Sequence, residues 1–140
     1  MKSNTRELFK GRVVRGNAPY VSEQGSVYEA GISRETVGSE VVFLGTVTLP
    51  PGQRTRAHSH ARHESAFYML SGESVELWTG EHLQHCDVAH VGDYLFIPAN
   101  TPHVAVNRSA TMPAIFVGVR NEATAQESVV LLPHLDVLVV

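Results

Sequence analysis

The chain alternates short runs of β-forming residues with turn residues, and this pattern constrains its fold more than any other feature. Seven runs rich in Val, Ile, Leu, Thr and aromatic residues are each followed within two residues by Gly, Pro or Asn: 41–49, 65–70, 75–78, 93–97, 103–106, 114–120 and 129–132. Helical periodicity is scarce, and only residues 121–128 are expected to form a short helical turn. Many short strands at nearly regular spacing predict an all-β sandwich or barrel.

Length and charge narrow the function classes. A chain of 140 residues fits a single domain, 1–140, that buries its own core. Residues 1–26 are predicted to form an irregular arm because Gly and Pro recur in them. The formal net charge is −3, and the charged residues are interspersed without a basic run. We therefore expect neither nucleic acid nor a membrane as a partner.

Two further features indicate the compartment. The N-terminus is polar from its start and lacks the apolar core of a signal peptide. Cys86 is the single cysteine, so an intrachain disulfide cannot form. We therefore expect a cytoplasmic protein.

Four candidate metal ligands lie within seven residues: His58, His60, His63 and Glu64. Alternate side chains of a strand point to the same face, so His58 and His60 are predicted to project into one space, about 6–7 Å apart along the strand. That separation suits two ligands that hold one ion at about 2.0–2.2 Å each. The segment therefore predicts a metal site at the start of a strand.

Two segments contain glycine and histidine at spacings typical of a sequence motif. The first has Gly52, His58, His60, Glu64 and Gly72, and the second has Gly92, Pro98, His103 and Asn107. In order and nearly in spacing, these segments resemble the two sequence motifs of the cupin family of small β-barrels, with Asn100 where the family has Gly. Asn tolerates the left-handed backbone that Gly supplies there, so we expect the turn to survive.

The resemblance covers about residues 40–120 and implies a double-stranded β-helix, a jelly-roll-like β-sandwich, with His103 as a further metal ligand. The acid ligand of the family falls on Ser65, one residue after Glu64. By strand alternation His63 shares a face with Ser65, whereas a bulge would bring Glu64 inward instead. Two ligand sets therefore stay open, one with His63 and one with Glu64 beside the other three histidines. We favour the all-histidine set, with Glu64 nearby as a catalytic base.

Histidine ligands suit a divalent transition metal, and zinc is favoured over Fe, Ni or Mn. Apolar strands around the site predict a hydrophobic or aromatic small-molecule substrate. Within the family, the chain is most similar to aromatic polyketide cyclases, which implies aldol-type ring closure of a poly-β-ketone. A non-haem dioxygenase acting on a phenol or diketone is the alternative, ahead of a sugar isomerase or a non-catalytic binding module.

The last twelve residues, 129–140, are unusually apolar for a chain end. They are expected either to pair with a second subunit or to fold back over their own barrel. Because cupins are often dimers, the resemblance implies a homodimer.

Overall fold

Two antiparallel sheets account for most of the chain in the computed structural model, which describes residues 10–16 and 18–140. The strands are β1 (Tyr20–Val21), β2 (Val27–Ile32), β3 (Phe43–Leu49), β4 (His58–Ser59), β5 (Ser65–Ser71), β6 (Val75–Thr79), β7 (His85–Ala89), β8 (Tyr94–Ile97), β9 (His103–Val106), β10 (Ala114–Arg120) and β11 (Val130–Leu131). One helical turn, α1 (Arg34–Val37), follows β2, and a 3-10 helix, Pro133–Leu138, ends the chain.

After β3, the chain crosses repeatedly from one sheet to the other. The six-stranded sheet runs β1-β2-β3-β10-β5-β8, and the five-stranded sheet runs β11-β4-β9-β6-β7. Every strand pair is antiparallel, and sequence neighbours such as β5 and β6 lie in different sheets. This arrangement confirms the all-β, double-stranded β-helix prediction.

The main core lies between the sheets because alternate residues of their strands point inward. Phe43, Val47 and Leu49 of β3 are buried at every second position, and Met69 and Phe116 pack against them. All seven runs predicted as strands are strands, with bounds that differ by two residues or fewer. The turn at Asn100 has the left-handed backbone that was expected, with φ at 60°.

The structure corrects several local predictions. Residues 121–128 contain no helix but form an irregular loop. Strands β2 and β7 and helix α1 were not predicted, because β2 carries Glu and Gly and β7 is largely exposed, which weakens their hydrophobic pattern. The arm predicted to be irregular contains β1, whereas residues 1–9 and 17 lie outside the described residues.

The C-terminal segment folds back over its own barrel. Strand β11 pairs with β4, and Leu135 and Val139 pack against Val104 and Val106 on the outer face of β9. Asp136 Oδ1 accepts a hydrogen bond from the Ala57 backbone N–H at 2.7 Å. The end of the chain therefore holds in place the strand that carries His58. None of the helices in residues 10–16 and 18–140 is long and apolar enough to cross a membrane.

Candidate metal centre

Three histidines converge on the inner face of the five-stranded sheet. His58 in β4 and His103 in β9 are direct cross-strand partners, and their ring centroids lie 4.1 Å apart. His60 follows β4, with its ring 4.9 Å from that of His58 and 5.2 Å from that of His103. All three are buried, and one nitrogen from each lies within 4.8 Å of the others. This trio, the three-histidine cluster, could hold one metal ion.

Backbone carbonyls fix the tautomer of each ring. The Nδ1 atom of His58 lies 2.6 Å from the Arg56 carbonyl oxygen, and that of His103 lies 2.8 Å from the Thr101 oxygen. For His60 the Nδ1 atom lies 2.7 Å from the Ser128 oxygen. A carbonyl oxygen only accepts, so each Nδ1 carries the proton. Each Nε2 then keeps a free lone pair, as metal-ligating histidines require.

Burial keeps these imidazoles neutral. Desolvation lowers the pKa of His58 to about 4, although the Arg56 carbonyl opposes the shift. Desolvation also lowers the pKa of His103 well below its usual value and, against the nearby Glu127 carboxylate, that of His60. Three neutral imidazoles need not lose protons before they bind a cation at neutral pH.

A cavity of about 60 Å³ opens beside the cluster, and all three of its histidines line it. Most of the remaining wall is apolar, from Leu49, Phe67, Val75, Leu77, Leu95 and Phe116 among others. No acidic side chain, lysine or arginine of the described residues lines it. Arg54, Arg56 and Arg62 are not among the residues that line it. The cavity is therefore suited to a neutral, largely apolar molecule.

A second cluster lies against His60 and is charged where the first is neutral. Glu127, in the loop between β10 and β11, has its Oε2 3.0 Å from His63 Nε2 and 3.6 Å from His60 Nδ1. Arg120 places its Nε 3.6 Å from the same oxygen. His60, His63 and Glu127 also form a group that could hold a metal ion. We call Glu127, Arg120 and His63 the charged cluster.

Glu127 is buried yet remains ionised. Desolvation raises its pKa, but the His63 hydrogen bond, the neighbouring His60 and Arg120, and a Gln24 hydrogen bond together lower it to about 2. The Arg120 guanidinium lies 3.6 Å from the centroid of the Phe43 ring and donates to two carbonyl oxygens of the same loop. The cluster thus pairs a buried carboxylate with a buried cation, as low-dielectric surroundings demand.

The predicted site residues are only partly brought together. His58, His60 and His103 form one cluster, whereas His63 stacks beside His60 with ring centroids 4.4 Å apart and bonds to Glu127. His63 is buried and Glu64 is exposed, which matches the facing expected from alternation. Glu64 contributes a backbone N–H to Asn121 Oδ1 and belongs to neither ligand group. The roles of His63 as a ligand and Glu64 as a base stay predictions.

Sequence reasoning missed Glu127, Arg120 and Gln24. Glu127 lies in a segment that was expected to be helical, 64 to 69 residues from the first three histidines, so no local spacing connects them. In the sequence, Arg120 only ends an apolar run. Its burial, which the structure shows, is what requires an acid to lie opposite it. Gln24 lies in the arm that was expected to be irregular.

Comparison with known proteins agrees with this architecture. The family model described as "Cupin domain" matches residues 45–120. Quercetin 2,3-dioxygenase of Bacillus subtilis is 29% identical over 98 residues, which cover 63% of this chain and 27% of that enzyme. The uncharacterized protein MJ1618 of Methanocaldococcus jannaschii is 26% identical over 89 residues, covering 64% of this chain and 68% of that protein.

The fold is also shared with solved structures. That of the polyketide cyclase RemF from Streptomyces resistomycificus superposes with a TM-score of 0.65 at 19% identity, covering 94% of this chain and 86% of that one. The sequence motifs, the crossed antiparallel sheets and the family match over residues 45–120 lead to one conclusion. The chain belongs to the cupin family.

Proposed function

We propose that this protein is a metal-dependent enzyme that closes a ring in a poly-β-ketone by an aldol-type reaction, as a polyketide cyclase does. One observation carries the proposal: three neutral imidazoles with free Nε2 atoms lie on the wall of an apolar cavity, and no charged side chain among residues 10–16 and 18–140 lines this cavity. A poly-β-ketone is neutral and carries pairs of carbonyl oxygens on an apolar chain. Both properties match this wall.

The donor set fits a divalent transition metal such as zinc, because each Nδ1–H is held by a carbonyl and each Nε2 is left to bind. A metal ion bound there would supply a Lewis acid that polarises a substrate carbonyl. His58, His60 and His103 are the residues that would hold it. His63 is the candidate fourth ligand, and it would have to leave Glu127 to reach the same ion.

The chain's own residues supply orientation and exclude water. Phe67 and Phe116 form an edge-on pair at 6.3 Å and present apolar surface to the carbon chain of a substrate. Packing a flexible chain against such a wall lowers the entropic cost of bringing its two reacting carbons together. Glu64, as the proposed base, would have to act from its exposed position, whereas Glu127 stays ionised and holds His63.

The test uses a linear nonane tetraone with alternating carbonyls and zinc-loaded protein. We expect an aromatic product that has lost one water, formed faster than in buffer with zinc alone, without uptake of oxygen. The control is a His58→Ala variant treated with the same zinc. Absence of a product, or equal rates with and without the protein, would contradict the cyclase proposal.

A dioxygenase acting on a phenolic or diketone substrate is the second candidate. It is favoured by the likeness to the Bacillus quercetin 2,3-dioxygenase, although the match spans only 27% of that enzyme. Iron-loaded protein with a flavonol or a β-diketone would then consume oxygen in step with loss of substrate. Oxygen uptake by the iron form, together with inactivity of the zinc form, would replace the cyclase by this second candidate.

A further inference from the structure

Backbone hydrogen bonds hold Gln24 in a defined position on the cavity wall. It lies in the turn between β1 and β2, where the Ser22 N–H donates to the Ser26 carbonyl at 2.9 Å. Its own carbonyl accepts the Arg56 N–H at 2.8 Å, two residues before His58. Gln24 is 2% exposed and lines the same cavity as the three-histidine cluster. The turn is therefore fastened to the segment that carries the ligands.

Glu127 sets the orientation of the Gln24 carboxamide. Gln24 Nε2 donates to Glu127 Oε1 at 2.7 Å, and Tyr28 donates its O–H to the same oxygen at 3.2 Å. An ionised carboxylate only accepts hydrogen bonds, so a flipped amide would bring two acceptors together. Glu127 does not line the cavity, whereas Gln24 does. The amide nitrogen of Gln24 thus forms a hydrogen bond with the charged cluster, whereas its amide oxygen does not.

That oxygen is left without a partner among the residues that the structure describes. Gln24 Oε1 is buried and makes no hydrogen bond within the described part of the chain. The other polar side chains on the wall are engaged: Tyr28 donates to Glu127, Thr55 Oγ1 accepts from the Ala105 N–H, and Ser26 Oγ lies 3.1 Å from Ser22 Oγ. A buried acceptor without a donor costs stability, so it calls for a ligand or a function.

We propose that Gln24 Oε1 determines specificity by accepting a hydrogen bond from an O–H or N–H group of a molecule bound at the three-histidine cluster. This inference rests on the proposed metal-dependent function. The preferred ligand then carries a donor, such as an enol or phenol hydroxyl, besides the oxygens that face the metal. A molecule that offers only carbonyl oxygens would leave the Gln24 acceptor unsatisfied and bind less tightly.

Two small chelators test this preference with zinc-loaded protein. Acetohydroxamate and N-methylacetohydroxamate both present two oxygens to a metal, but only the first has an N–H. By titration calorimetry we expect the wild type to bind acetohydroxamate about tenfold more tightly, the scale of one buried hydrogen bond. In Gln24→Met, which keeps the length of the side chain but removes its acceptor, this ratio should fall to about that in free solution with zinc.

Tyr28→Phe is the matched control, because it also removes a hydrogen bond to Glu127 Oε1 but leaves Gln24 Oε1 in place. This variant should keep the wild-type ratio. If the wild type binds the two chelators equally, the role of Gln24 is overturned while the metal site stands. This comparison needs only the wild-type protein. A preference that persists in Gln24→Met would also overturn it. Failure of the zinc-loaded protein to bind either chelator would overturn both this inference and the proposed function.

Discussion

The three-histidine cluster and the charged cluster meet at His60 but solve the problem of burial in opposite ways. The three-histidine cluster is neutral, and backbone carbonyls hold its rings. The charged cluster pairs Glu127 with Arg120, which compensates its charge, and with His63, which forms a hydrogen bond with it. The first cluster keeps unused lone pairs facing a cavity, whereas in the second the carboxylate is already engaged. From this difference we expect the three-histidine cluster to bind a metal ion and the charged cluster to support it.

The charged cluster and its loop support His60 through direct contacts. Glu127 Oε2 lies 3.6 Å from His60 Nδ1, and the next residue, Ser128, provides the carbonyl that holds this same nitrogen. The 121–129 loop therefore orients the His60 ring through contacts at its Nδ1 atom. Groups that orient a metal ligand in this way commonly contribute about 10–100-fold to metal affinity.

The largest effect should come from breaking the charged cluster at its cation. Arg120→Met would leave the Glu127 carboxylate buried without its main countercharge, which costs about 3–5 kcal/mol of unfolding free energy. Denaturant unfolding of the metal-free protein measures this loss. The double variant Arg120→Met with Glu127→Gln should recover part of it, and purely additive effects of the two changes would refute the pairing.

Breaking the neutral cluster should act on metal affinity instead. His103→Ala removes a ligand, so we expect zinc affinity to fall by at least about 100-fold, beyond the usual loss of a supporting group. A competition titration with a zinc chelator measures the change. His82→Ala, at an exposed histidine, is the matched control and should bind zinc like the wild type. Similar zinc affinity in both variants would show that the three-histidine cluster is not the site.

His63 sharpens the comparison because it belongs to the charged cluster and also contacts His60 of the three-histidine cluster. If it mainly supports His60, His63→Ala should lower zinc affinity by about tenfold. A loss as large as that of His103→Ala would instead establish His63 as the fourth ligand, as the sequence predicted. The same competition titration distinguishes the two results.

The smallest effect is expected at Glu64. Its side chain is exposed and belongs to neither cluster, so Glu64→Gln should change the unfolding free energy by no more than about 0.5 kcal/mol and leave zinc affinity unchanged. Thermal unfolding and zinc titration measure both quantities. Turnover of the poly-β-ketone is the separate readout, and a marked loss with unchanged metal content would support Glu64 as the catalytic base.

The sequence contained most of the fold and half of the site. The strand runs and turn residues predicted the sheets because their signals are local, and the left-handed turn at Asn100 was correctly expected. His58, His60 and His103 could be recognised because motif spacing encodes strand pairing. Glu127 and Gln24 could not, because they reach the site through an irregular loop and a turn whose path depends on tertiary packing. Glu127 and Arg120 were also hard to predict because charged residues are usually exposed. Only the structure shows the ion pair that allows both to be buried.

The most direct test of the central claim is nitrogen NMR of the histidine rings in labelled protein during zinc titration. The structure predicts that His58, His60 and His103 bind zinc through Nε2 and that their Nδ1 atoms remain protonated against the Arg56, Ser128 and Thr101 carbonyls. The Nε2 signals of these three rings should shift together at one zinc per chain. Coordination through Nδ1, or saturation by zinc without a change at these three rings, would contradict the account.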